Sequence, residues 1–150
     1  MSDAARLALS VQYACRGIAP DRSQCRRWVK AACTMAKQYK SCSLTLRFVD
    51  EKEQRKLNRT FRGRDYATNV LTFSYGSGNE VVADIAICVA VARREAHAQK
   101  KHPKAHFAHL VVHGTLHALG YDHETTVDAR AMETLEGQIL GRFRLANPYA

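Results

Sequence analysis

The sequence predicts an α+β fold, with one small mixed β-sheet of about four strands packed against about five helices and a metal site on a helix of the C-terminal half and its following turn. Three observations carry this. Short segments rich in β-formers all precede Val89, segments with helix start and stop signals fill the remainder, and 150 residues suffice for one ordinary core. No repeat, linker or low-complexity tract divides the chain, so one domain over residues 1–150 is expected.

The elements follow in order. Leu7 to Tyr13 alternates weakly and is expected to be a strand, and Pro20-Asp21 opens a helix from about Arg22 to Tyr39 whose core face holds Trp28, Ala32, Met35 and Ala36. Leu44 to Val49 alternates as a second strand, and the charged stretch from Asp50 to Asn58 is a short exposed helix. Val70 to Phe73 is a third strand, Ser74 to Asn79 is rich in turn residues, and Val81 to Ile87 is a fourth strand carrying one acid, Asp84, expected to buttress a cleft from behind. Val89 to Lys100 is a helix. Pro103 suits the first turn of another, running to Leu119 with Gly120 as its stop, and a last helix spans about Val127 to Leu140.

Composition narrows the class of function. Hydrophobic residues make up 46% and charged residues 25%, a soluble globular balance. No apolar run approaches the roughly 20 residues that span a bilayer, and the opening Met-Ser-Asp-Ala-Ala-Arg lacks the basic start and apolar core of a leader, so a cytoplasmic protein without membrane contact is expected. Cys15, Cys25, Cys33, Cys42 and Cys88 form an odd set without Cys-x-x-Cys spacing and are expected to be buried, reduced thiols. The formal charge of +9 favours a polyanionic partner such as nucleic acid, although charge alone equally suits a basic solvated surface.

All seven histidines fall between His97 and His123. On a helix, His113 and His117 stand about 40° apart around the axis and roughly 6 Å along it, so they project side by side. Gly120 tolerates the left-handed turn that would return the chain and bring in His123 as third ligand, which leaves a position for water or substrate. Val111, Val112, Thr115, Leu116 and Leu119 would provide a dry wall. The pairs His109/His113 and His102/His106 share the spacing but lack the turn and third ligand, leaving His109 at most a supporting role. In the commonest helical zinc motif, His-Glu-x-x-His, the glutamate is the general base for peptide cleavage; here Gly114 occupies that position, which disfavours a peptidase.

The run His113-Gly-Thr-Leu-His117-Ala-Leu-Gly120-Tyr121-Asp122-His123 closely resembles the signature of the bacterial YbeY family of zinc-dependent endoribonucleases. Asn58 to Phe73 resembles that family's second motif and Ala83 to Ile87 its third, so the resemblance covers roughly residues 40 to 140, including Met132, Glu133 and Leu135 of the last helix. It implies one zinc ion on His113, His117 and His123, a catalytic arginine at Arg62, and single-stranded RNA as substrate in ribosomal RNA maturation, notably of the 16S 3′ end, and in ribosome quality control. Ribosomal or ribosome-associated proteins are the implied partners. Thr72 and Ser74 stand where the family usually has serine and proline, and Ala83 where it usually has glycine, departures that affect backbone detail near the cleft.

Arg59 and Arg64 are further candidates for holding RNA phosphate beside Arg62, all three being expected in a loop just before a strand. Asp122 and Glu124 flank His123 and could relay a proton or orient an imidazole, while Tyr121 is expected to pack against the turn. The alternatives are a zinc metallopeptidase and a non-catalytic, ribosome-associated zinc protein.

Overall fold

A computed structural model describes residues 6–36, 41–76 and 79–150. Four strands and five helices follow one another as β1 (Arg6–Tyr13), α1 (Arg22–Met35), β2 (Ser41–Val49), α2 (Glu51–Arg62), β3 (Val70–Ser74), β4 (Glu80–Cys88), α3 (Val89–Ala98), α4 (Pro103–Ala118) and α5 (Thr126–Arg142). The sheet order is β1-β2-β4-β3, with β1, β2 and β4 parallel and β3 antiparallel at the edge. This is the expected mixed-sheet α+β architecture.

Period-two alternation decides which side chains enter the core. Leu44, Leu46 and Phe48 of β2 and Ala83, Ile85 and Ile87 of β4 meet Trp28 and Val29 of α1 and Phe107, Val111 and Leu116 of α4. Met132 and Ile139 bring α5 against the same cluster. Complete burial of one such large apolar side chain is worth about 1.5–3 kcal/mol, so α4, with apolar neighbours on several sides, is firmly seated. Its own burial extends around the helix, leaving His113 and His117 partly open to solvent.

Several boundaries and placements differ from expectation, each for a local reason. Among the described residues α1 ends at Met35, capped by Ala36 in an extended conformation; the expected extension over Lys37 to Tyr39 lies outside them, as do residues 77 and 78 of the expected turn. The second helix runs to Arg62 rather than Asn58, because Gly63 adopts a left-handed φ of 68° and its amide closes the helix on Arg59. Arg59 and Arg62 are therefore helical, not loop, residues.

Nor is α2 simply an exposed helix. Gln54 and Asn58 are buried, the first donating to the Ala86 carbonyl at 3.0 Å and the second to the Tyr66 carbonyl at 2.8 Å, so a polar seam fastens α2 to β4 and to the loop before β3. Asp84 does not buttress the cleft. Strand alternation turns it to the exposed face, on the side of Tyr75. The five cysteines are free thiols, but only Cys25, Cys42 and Cys88 are buried, Cys15 and Cys33 being half-buried.

Candidate metal centre

The two helical histidines meet as their spacing predicts. His113 and His117 have ring centroids 4.5 Å apart and Nε2 atoms 3.1 Å apart. The chain then reverses in a Schellman turn: the Gly120 amide bonds the His117 carbonyl and the Tyr121 amide bonds the Leu116 carbonyl, with Gly120 at φ 95°. That turn carries His123 to within 5.0 Å of the His117 ring and 5.9 Å of the His113 ring, centroid to centroid. One nitrogen from each of the three lies within 4.8 Å of the others.

The proton positions follow from the partners. His117 Nδ1 stands 3.0 Å from the Tyr121 carbonyl, which can only accept, so Nδ1 carries the hydrogen and Nε2 presents a lone pair. His113 Nδ1 stands 2.5 Å from the Glu136 carboxylate, and the same reasoning bares its Nε2. Two lone pairs facing each other across 3.1 Å repel unless a cation accepts both. Two nitrogens bound to one tetrahedral zinc at about 2.0–2.1 Å lie roughly 3.3 Å apart, so the donor set and spacing fit that ion. Burial, reinforced by the nearby His113 and His123, lowers the His117 pKa and favours the neutral imidazole that binds metal.

Glu136 was not found from the sequence. It is completely buried on α5, 23 residues beyond His113, and nothing in its spacing links it to the histidines. Burial alone would raise its carboxyl, yet hydrogen bonds from His109 and His113, together with the hydroxyl of Tyr149, hold it at about 2. His109 thus supports the site without joining the three imidazoles. Of the others, His106 pairs with Glu95 at 2.9 Å, and His102 caps α4 by accepting from the Lys104 amide. Glu95 also receives the Asn69 side chain, which places that residue in the wall of the site.

The imidazoles open into a cleft of about 690 Å³ between α4, the 121–124 turn, β3 and the end of α2. Arg62 lines it, with Nη2 donating to the Thr72 carbonyl at 2.7 Å and its guanidinium 5.0 Å from the centre of the Phe73 ring. Arg64 lines it too, and so does the half-exposed Tyr66, in a loop braced by the two-point Arg55–Asp65 ion pair. Arg59 is not part of the lining. It is exposed beside Asp65, whose carboxyl its charge helps lower after the larger effect of Arg55. Asp122 and Glu124 stand at the rim; the Asp122 carboxylate accepts from the His123 amide at 2.6 Å, so it shapes the turn. Tyr121 is half-buried against the core, and its carbonyl orients His117.

Gly114 is buried against β3 and β4 for a steric reason. A Cβ there would stand 2.8 Å from Ile85 Cγ2 and 3.3 Å from Val70 Cγ2, and the Thr72 hydroxyl donates to the Gly114 carbonyl. The helix lies flush on the sheet where a peptidase of the His-Glu-x-x-His type would carry its base.

A family model described as endoribonuclease YbeY matches residues 16–144. The chain belongs to that family. An endoribonuclease YbeY of Bordetella pertussis is 51% identical over 153 residues, spanning 97% of this chain and 98% of the relative. One of Paraburkholderia phymatum is 43% identical over 157 residues, spanning 99% of each. The solution structure of a Thermotoga maritima protein shares the fold at a TM-score of 0.61 over 91% of both chains, with 22% identity. Membership in the YbeY family agrees with the resemblance borne by His113 to His123.

Proposed function

We propose that this protein is a zinc-dependent endoribonuclease of one domain that cleaves single-stranded RNA, acting in the cytoplasm on ribosomal RNA at the 16S 3′ end and in ribosome quality control, together with ribosomal or ribosome-associated proteins. The observation that carries the metal reading is the pair of bare Nε2 atoms on α4, joined by His123, at the base of a cleft that Arg62 also lines. The relatives named endoribonuclease YbeY support the RNA substrate.

His113, His117 and His123 would hold the ion, which when bound supplies a Lewis acid for a phosphoryl oxygen or for water. Arg62 is pinned at Thr72 and over Phe73, so its guanidinium is placed in advance to stabilise charge developing on the scissile phosphate. Gly114 leaves α4 without a carboxylate beside the imidazoles, and Glu124 at the rim is a candidate proton acceptor. RNA brings its own nucleophile in the 2′-hydroxyl, a route that leaves a cyclic phosphate. Products with 5′-phosphate ends would assign the attack to water instead.

The deciding experiment compares wild type with His117→Ala for bound zinc and for cleavage of single-stranded ribosomal RNA. Both are expected to be lost in the variant. Equal nuclease activity in the two proteins would refute the site.

A further inference from the structure

The C-terminal tail reaches the back of the metal centre. After α5 the chain turns through Arg144, at φ 59°, with the Leu145 amide bonded to the Leu140 carbonyl. The tail then lies along α5, where Asn147 sits on Gly137: a Cβ at Gly137 would stand 2.7 Å from Asn147 Nδ2. The same Asn147 accepts from the Tyr149 amide at 2.9 Å through its Oδ1. This fold-back delivers the Tyr149 hydroxyl to Glu136 Oε2, which also faces His109 Nε2 at 3.2 Å, while Oε1 takes His113.

We propose that residues 147–150 are a working part of the metal centre, with Tyr149 and Glu136 as positioning residues: Tyr149 fixes the Glu136 carboxylate, which in turn fixes the tautomer and aim of His113. The inference rests on the metal-binding reading above. With Tyr149 and His109 on Oε2, the buried carboxylate keeps Oε1 for His113 Nδ1, and a hydrogen held on Nδ1 turns the bare Nε2 to the cleft. Carboxylates placed behind ligating imidazoles in this way raise their basicity and hold their orientation. The Tyr149 hydroxyl also lies 3.1 Å from His109 Nε2, so one hydroxyl braces both Glu136 and the imidazole that faces its Oε2.

A different use of the same atoms is a second metal site, since His109, His113 and Glu136 also bring one ligand atom each within 4.8 Å. The distances disfavour it. The 2.5 Å between His113 Nδ1 and Glu136 Oε1 is a hydrogen bond, shorter than the roughly 3.3 Å that separates two ligand atoms on one zinc.

The test uses the full chain as wild type, Tyr149→Phe and Glu136→Gln, with zinc affinity measured by competition against a chromophoric chelator and visible absorption recorded after loading with Co(II). Wild type is expected to take one equivalent of either ion. Glu136→Gln should bind zinc about 10–100-fold more weakly, and Tyr149→Phe, one contact further out, about 10-fold, each with an altered Co(II) spectrum. If burial makes Glu136→Gln unstable, the variant at Tyr149, a residue that is 42% exposed, still decides. Unchanged affinity and spectrum in Tyr149→Phe, or a lower melting temperature alone, overturns the proposal while leaving the metal reading intact. Two equivalents in wild type with one lost in Glu136→Gln overturns it in favour of the second site. A wild type that binds neither ion removes both readings together.

Discussion

Replacing Gly114 by alanine sets two effects of known sign against each other. Within a helix the exchange gains about 1 kcal/mol, because glycine loses more backbone freedom on folding. The new methyl, however, would stand 2.8 Å from Ile85 Cγ2 and 3.3 Å from Val70 Cγ2. Ile85 is β-branched and buried on β4, a strand paired on both sides, so its methyl cannot swing away cheaply. Overpacking of this kind costs about 1–3 kcal/mol. The clash therefore wins by about 1 kcal/mol, which for a domain of this size lowers Tm by about 2–4 °C. Circular-dichroism melts of both proteins at one fixed zinc excess measure it. Cleavage should also slow, because Val70 and Thr72, which line the cleft, pack directly against Gly114. Gly114→Glu, which restores His-Glu-x-x-His on paper, should fail to fold rather than become a peptidase, since its carboxylate would be driven into the sheet. A rise in Tm for Gly114→Ala would refute the close packing, and a folded, zinc-loaded Gly114→Glu that cuts casein would refute the steric argument.

Two more outcomes are expected. Arg62→Ala should keep its zinc but lose about 10²-fold in single-turnover RNA cleavage, the usual cost of removing one fixed charge-stabilising donor, and Arg62→Lys should restore little because it lacks the planar fork; loss of zinc in Arg62→Ala would contradict the separate roles. In acid, the Glu136 carboxyl, held at about 2 in the folded protein against an ordinary 4.5, contributes stability that is complete above its unfolded value and disappears as the pH falls through about 2. The difference is worth about 3 kcal/mol, so metal-free wild type should lose that much more than Glu136→Gln between about pH 6 and pH 2 in urea titrations. Equal losses would show that the carboxylate is not held in its charged form.

What the chain discloses before folding is what local geometry determines. His113 and His117 are neighbours on any helix, and Gly120 announces the reversal that brings His123, so the three imidazoles were legible from spacing alone. The strands were legible because one buried face imposes alternation on Leu44 to Phe48 and Val81 to Ile87. Contacts made by folding distant segments together left no such mark. Asp84 in an apolar strand invited a functional reading, but register on an exposed face decided otherwise, and the helical extension to Arg62 depended on a single left-handed glycine.

Glu136 and Tyr149 mark the limit most clearly. They lie on α5 and on the tail beyond it, and their relation to His113 exists only because α5 packs on α4 and the tail folds back over Gly137. Local spacing thus supplies the ligands, while tertiary packing supplies the charge that sets their protonation. An imidazole trio without that buried carboxylate would still be recognisable in the sequence, but nothing would oblige His113 to present a lone pair to the cleft.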